Sequence, residues 1–279
     1  MDNPAKGRFR PGIGLVIVLL HAIAITAVFI IQDVSGMALV VAGILYAISS
    51  LGITVGYHRY FTHGAFQCGE GVKYVLAFAG ALAAEGPLDK WCSDHRQHHR
   101  FTDGEYDPHS PYAYRQPLGF LWAHVGWLFW ETARPDSYHP STPAQDEAVV
   151  AWQARWYWYI VVLGFLIPAL LAGWTGLLLA GFIRIVAHLH VTWMVNSVCH
   201  MWGARPMGLD GVVWKNDKSR NNLLVAMLSM GEGWHGNHHV KPNSAELGYR
   251  WYQWDPGKWL INVMELVRLV LDVRRFSRA

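Results

Sequence analysis

Apolar residues gather in four long runs. Ile13 to Ile31 is interrupted only by His21, and Met37 to Tyr57 carries no charge. Trp156 to Trp174 and Gly176 to Cys199 form a second pair further along the chain. A helix needs about 20 apolar residues to cross the hydrocarbon core of a bilayer, so each run predicts a span. The connections at 32–36 and 173–176 are short and make each pair a hairpin, which returns the chain to the side it left. Pro168 inside the third run is compatible with a membrane helix. The pattern predicts an all-α integral membrane protein and a single domain over 1–279. It has four spans, at about 13–31, 37–57, 156–174 and 176–199, and a cap from 58–155 and 200–279.

Three weaker apolar segments belong to that cap. Tyr74 to Ala84 is too short to span and reads as an interfacial or re-entrant helix. Leu118 to Trp130, rich in aromatics, reads the same way. Trp259 to Arg275 is amphipathic, with a stripe of Leu260, Val263, Val267, Val270 and Leu271, and is expected to lie on the membrane or against the domain. Arg134 to Glu147, with three prolines, is a loop.

Composition agrees with a membrane class. Hydrophobic residues make up 52% and charged residues 15%, against about 25% charged in soluble domains. Of the 23 Lys and Arg, three precede the first span, eight lie between Arg59 and Arg155, one is Arg184 and eleven follow the last span. The hairpin turns hold none, so the positive-inside rule puts both termini and the cap in the cytoplasm. A net charge of +3 gives no reason to expect nucleic acid. Arg184, inside the fourth run, must face the bundle or snorkel, since a charge at that depth is costly. Cys68, Cys92 and Cys199 form no CxxC pair and read as inert thiols.

The outlier is histidine, at 15 residues. His95, His98 and His99 are spaced i, i+3, i+4, and so are His235, His238 and His239; on a helix each trio shares a face. Asn196 and His200 are i, i+4 at the cytoplasmic end of the fourth run. His58 and His63 are five apart, about 140° around a regular helix. They therefore serve two different metals unless the helix unwinds or bulges there. Nine imidazoles exceed the four ligands of a structural zinc and suit two borderline metals, for which Fe, Zn, Cu and Ni are all candidates. Asp94, Asp103, Glu105 and Asp107 are available to accept the outer ring N–H of a metal-bound imidazole. His21 and His124 have no companion in the sequence and read as structural. A haem carrier would place paired histidines inside facing spans, where this chain has only His21, His188 and His190. A haem-binding or metal-transporting membrane protein is thus a remote alternative.

The blocks GYHRYFTH, DHRQHHRFTDGEYDPHS, NSVCH and GEGWHGNHH, taken in order with their DPH and GEG neighbours, resemble the histidine boxes of membrane fatty-acid desaturases of the stearoyl-CoA desaturase type. The likeness runs from about Gly56 to Pro242. It implies a centre of two non-haem irons that uses O2 to insert a cis double bond, near the middle of the chain as in Δ9 enzymes. By position the implied ligands are His58, His63, His95, His98, His99, His200, His235, His238 and His239, with Asn196 reaching a metal through water. Trp91, Thr192 and Trp193 match positions that line the bend of the acyl tunnel, and Arg96 a position near the polar head of the substrate. A same-fold hydroxylase or oxidative decarboxylase is the alternative chemistry.

Two departures bear on the substrate. Glu85 stands where the animal enzymes carry an amide, and the N-terminal region that helps hold coenzyme A there is much shorter here, as in a bacterial inner-membrane form. Acyl-CoA is the expected carrier of the chain, with acyl-carrier protein or an intact membrane lipid as alternatives. The sequence carries neither a fused cytochrome-like module nor a cysteine set for an iron–sulfur cluster. Electrons are therefore expected from a separate ferredoxin-, rubredoxin- or b-type-cytochrome-like protein with its reductase. Arg100, Lys215, Lys218, Arg220 and Lys241 offer a basic dock for it.

Overall fold

The computed structural model describes residues 6–140, 142, 143, 146–206 and 216–276. Three helical runs are long and apolar enough to cross a membrane. The first is α1, Pro11–Ile30, opened by a proline at its first position, where the missing N–H would have been unpaired anyway. The second is α2, Gly36–Leu51, capped by Ser35, whose Oγ accepts from Ala38 N at 3.1 Å. It continues without a break as a π-helix, Gly52–Thr62. Gly52 allows this path, because a Cβ there would sit 2.2 Å from Gly80 N on the helix packed against it.

The third run, Glu147–Met201, is 55 residues long. It comprises α6, Glu147–Gly176, a π-helical stretch, Leu177–Ile183, and α7, Arg184–Met201. It is not one rod. Ala172 and Gly173 leave helical geometry, Gly173 at φ 60°, and the chain turns back on itself. Phe165 and Phe182, on either side of the turn, meet in a tilted pair with ring centroids 4.7 Å apart. Arg184 is buried and faces the bundle, where Nε donates to the Ala180 carbonyl at 2.6 Å and Nη1 reaches Ser49 Oγ at 3.3 Å.

Shorter helices complete the fold: α3, Glu70–Ala81; α4, Leu88–Phe101; α5, Leu118–His124; α8, Leu223–Leu228; α9, His235–Val240; and α10, Pro256–Leu266. Two small antiparallel ribbons interrupt the all-helical expectation. β1, Lys6–Phe9, pairs with β3, Trp130–Thr132, and β2, Gln67–Cys68, pairs with β4, Val270–Leu271. The second ribbon corrects the C-terminal amphipathic helix. α10 stops at Leu266, Arg268 turns at φ 60°, and Val270 is buried through strand pairing. The inward face of α10 is Gly257, Ile261 and Met264; Val263 and Val267, expected inward, are 57% and 59% exposed. α10 is fastened to the π-helix by Arg59, which is buried and pairs with Asp255 at 2.7 Å.

Candidate metal centre

The π-helix resolves the spacing of the first two histidines. Its hydrogen bonds reach five residues back, as in His63 N to the His58 carbonyl at 3.2 Å, so residues five apart stack nearly above one another. The rings of His58 and His63 lie 5.0 Å apart. The expectation that they serve separate metals is therefore corrected: both belong to one group with His95, His99 and His238. α4 supplies the other side. His95 and His99 are one turn apart and face this group, while His98, displaced around the helix, faces a second group with His200 of α7 and His235 and His239 of α9. Within each group the candidate ligand atoms lie within 4.8 Å of one another.

The outer nitrogens explain why the rings point as they do. His98 Nδ1 lies 3.0 Å from both oxygens of Asp107, His200 Nδ1 lies 2.9 Å from Asp103, His239 Nδ1 lies 2.8 Å from Asp217 and His58 Nδ1 lies 2.6 Å from Glu232. Asp107, Asp103 and Asp217 each take the Nδ1–H of their histidine and leave its Nε2 as the free lone pair facing the group, while Glu232 stands at ion-pair distance from His58 without a hydrogen bond. Nε2 of His200 and His235 are 2.9 Å apart, and those of His235 and His239 are 3.0 Å apart. Burial, then the neighbouring imidazoles, hold His63, His95, His98, His99, His235 and His238 well below the ordinary histidine range. Rings held neutral by desolvation and turned Nε2-inward are the donor set that Fe, Zn or Cu requires. His63 Nε2, buried with no hydrogen-bond partner among the described residues, is further suited to a metal. Asp217 stays below the usual carboxylate range although burial alone would raise it, because His239 and Ser219 outweigh the burial.

Of the four carboxylates expected near the histidines, Asp103 and Asp107 serve. Asp94 instead pairs with Lys90 and Arg134, and Glu105 is exposed. Two that serve were missed. Glu232 stands in the GEG block, and its role was legible there as a carboxylate three residues before a ligand. Asp217 has no local signal, since it meets His239 only through the fold. His109 was also missed; its ring is 4.4 Å from that of His98 and 3.8 Å from Asp107.

Beside the two groups lies a partly open, mostly apolar cavity of about 40 Å³. Ile53, Val191 and Val195 supply apolar wall, Trp91, Thr192 and Asn196 also line it, and His95 and His235 bring one member of each metal group to it. Glu85 braces this wall. It accepts from Trp91 Nε1 at 2.9 Å and Thr192 Oγ1 at 2.6 Å, and lies 3.0 Å from His188 Nε2.

Two expected positions fall elsewhere. Trp193 is buried on the far side of α7 and does not line the cavity; it packs among the rings of His21, His124 and His190. Helical geometry puts it there, about 100° from Thr192. Arg96 donates to the carbonyls of Phe61 and Thr62 and thereby caps the π-helix. His21 and His124 are not isolated: His21 Nε2 meets His190 Nε2 at 3.1 Å, and His190 Nδ1 meets His124 Nε2 at 2.9 Å. Of the expected basic dock, Arg100 is exposed, Lys218 lies over the Tyr112 ring at 3.5 Å, and Arg220 and Lys241 donate to the carbonyls of Gly203 and Arg275. Lys215 lies outside the described residues.

The profile of the family described as fatty acid desaturase matches residues 35–262, which contain every histidine of both groups. This chain belongs to the fatty acid desaturase family. It is 36% identical over 247 residues to a protein of Arabidopsis thaliana named Delta-9 acyl-lipid desaturase 1, covering 85% of this chain and 75% of the relative. It is 33% identical over 279 residues to the sn-1 stearoyl-lipid 9-desaturase of Synechocystis sp., covering 98% and 84%. A protein of Moorena producens named hex-5-enoyl-[acyl-carrier protein] acetylenase is 37% identical over 247 residues, covering 82% and 74%. The desaturase is thus an oxidoreductase acting on fatty acyl chains.

Proposed function

We propose that this desaturase binds two non-haem irons, one in each histidine group, and inserts a cis double bond at Δ9 of a saturated acyl chain. The observation that carries the reading is the cavity that touches both groups, through His95 and His235. His58, His63, His95, His99 and His238 would hold one iron; His98, His200, His235 and His239 would hold the other, with Asn196 on the cavity wall near it. Bound there, the irons supply the activation of O2 and the removal of hydrogen from a methylene.

The protein residues do the rest. Ile53, Val191 and Val195 keep water from the chain. Glu85 holds Trp91 and Thr192 in place along the cavity wall, which limits the methylenes that can face the groups; positional selectivity then follows from geometry. Asp107, Asp103 and Asp217 keep three imidazoles in one tautomer.

A helical run of 55 residues would be roughly 80 Å long at 1.5 Å per residue, far beyond a bilayer core of about 30 Å. Its turn at Ala172–Gly173 supports reading it as two spans, four in all. The lysines and arginines then favour both termini and the histidine groups on the cytoplasmic side, in the manner of a bacterial inner-membrane protein. Two electrons come from a separate carrier protein, docked near Arg100, Lys218 and Arg220.

The test is the fatty-acid profile of cells producing the wild type beside cells producing His98→Ala, with double bonds located by mass spectrometry. New Δ9 monoenes in the wild type alone support the reading. A hydroxylated, acetylenic or one-carbon-shorter product from the wild type assigns the site to a sibling reaction.

A further inference from the structure

At about 40 Å³ the cavity beside the histidine groups has room for only a few water molecules. A long acyl chain cannot occupy it as it stands, so binding must displace a wall. Most of the walls are braced. Glu85 ties Trp91 to Thr192, and Glu232 accepts from Thr54 and stands at ion-pair distance from His58. Ile53 follows Gly52, where a Cβ would sit 2.2 Å from Gly80 N, so that wall has no slack. The remaining wall is the seam between α2 and α8, where Ser50 of α2 and Ser229, the C-cap of α8, line the cavity. Among the described residues one hydrogen bond joins these two helices, from Tyr46 Oη to the Leu228 carbonyl at 2.8 Å.

Tyr46 stands between the cavity and the outside. Leu39, Gly43, Tyr46 and Ser50 form one strip along α2. Leu39 and Gly43 are exposed, Ser50 is inside, and the Tyr46 ring lies edge-on to the cavity-lining His188 at 5.4 Å. On α8, Val225 and Ala226 are buried, whereas Leu223, Leu224 and Met227 are each more than half exposed. Counted from Met37 at 1.5 Å per residue, Tyr46 is about 14 Å into a hydrocarbon core of about 30 Å. The outward leucines beside it therefore face lipid tails, not water.

We infer that the seam between α2 and α8 is a portal to the bilayer, latched by Tyr46, through which the tail of an acyl chain slips sideways between lipid and cavity. The inference rests on the desaturase reading and deepens it by naming the route to the site. This route keeps every methylene in an apolar medium, whereas end-on entry from water does not. α8 opens as one lobe. Its base is closed by the Asn222 N–H on the Gly233 carbonyl at 2.8 Å, and beyond Ser229 the chain turns through Met230 and Gly231 at φ 55° and 113°. Glu232 lies past that turn, so its contacts with Thr54 and His58 stay in place while the lobe moves.

The full-length, metal-loaded protein is placed in nanodiscs that contain stearic acid carrying a mid-chain diazirine, and photolabelled residues are read by mass spectrometry. Label is expected on Val191 or Val195, inside the cavity. Tyr46→Phe, which keeps the ring and loses the latch, should raise that label roughly fivefold, the shift that one lost hydrogen bond gives. Tyr46→Cys with Leu228→Cys, made with Cys68→Ser so that no half-buried native thiol competes, allows the seam to be bridged by a short bis-thiosulfonate. The bridge should abolish label inside the cavity, leave label on Leu224 and Met227, and be reversed by reductant, which also shows that the variant is folded. Absence of cavity label from the wild type, or cavity label that persists under the bridge, would overturn the inference. In a second arm the nanodiscs hold deuterated stearoyl-CoA or a deuterated stearoyl phospholipid, with reduced ferredoxin as electron source. The bridged protein should convert at most the chain already inside, and sustained turnover under the bridge again overturns the portal. Bridge-dependent label without monoene from either carrier would sink the desaturase reading and leave the portal standing, so the two failures are distinguishable.

Discussion

Twelve histidines of this chain fall into two sets built on opposite principles. The nine of the candidate metal centre converge: their Nε2 atoms crowd to about 3 Å, and three outer nitrogens are held by buried carboxylates. The three on α1, α5 and α7 run in series. His21 Nδ1 donates to the Ile17 carbonyl, His190 bridges to His124, and His124 Nδ1 ends on Ser197 Oγ at 3.0 Å. His190 uses both of its nitrogens on other histidines, so neither is free for a third partner. Among the described residues no carboxylate turns these rings. The lesson is that proximity of imidazoles does not make a ligand set; convergence of one nitrogen each, with carboxylates fixing some of the rings from outside, does. The serial set is polar packing of α1 and α7 with the short helix α5.

Several substitutions can break or sharpen this contrast. The largest effect is expected from His98→Ala or His235→Ala, each of which should remove one metal per chain, read by elemental analysis, and abolish monoene formation with the protein still inserted. Asp217→Asn should leave the histidine count intact yet weaken metal affinity about 10–100-fold, read by competition with a chelator. Equal affinity in that variant would mean that convergence alone suffices. A pH titration comes next. His63, His95, His98, His99, His235, His238 and His239 sit below the ordinary range, so below about 6.5 the unfolded chain takes up protons that these folded rings refuse. Stability conferred by the neutral rings is present above that pH and lost as pH falls, and the melting temperature of chelator-treated protein should drop steadily from pH 7 to pH 5. The smallest effect belongs to the serial set. His190→Ala should cost about 1 kcal/mol of stability, from two hydrogen bonds between membrane helices, and leave two metals bound. Loss of metal in His190→Ala would merge the two sets.

The spans and the membership of the histidine groups were legible in the sequence because they rest on periodicity: long apolar runs for α1 and α2, and the i, i+3, i+4 trios on α4 and α9. The partition of the groups was not. It depends on the π-helix from Gly52 to Thr62, which is set by the close approach of Gly52 to α3 and by Arg96 capping its end, both tertiary facts. The end of α10 was hidden for the same reason. Val270 and Leu271 continue an apolar stripe, but their backbone finds Gln67 and Cys68. Glu85 was visible as an unusual residue, and its grip on Trp91 and Thr192 appears only when α4 and α7 meet. Trp193 shows the limit of reasoning by position, since one step along a helix moves a side chain to another face.

The ion pair between Arg59 and Asp255 has a consequence for how the protein comes into being. Arg59 follows His58 directly, and its counter-charge arrives 196 residues later. At ribosomal rates of about 5–20 residues per second, that is a delay of roughly 10–40 s. Until then an isolated guanidinium cannot take its buried place without a large desolvation penalty. The π-helix, and with it His58 and His63, therefore settles only once Asp255 has been made. The candidate metal site is in this sense completed late, and a nascent chain interrupted before Asp255 offers the cell an unfinished site that its quality-control proteases can recognise.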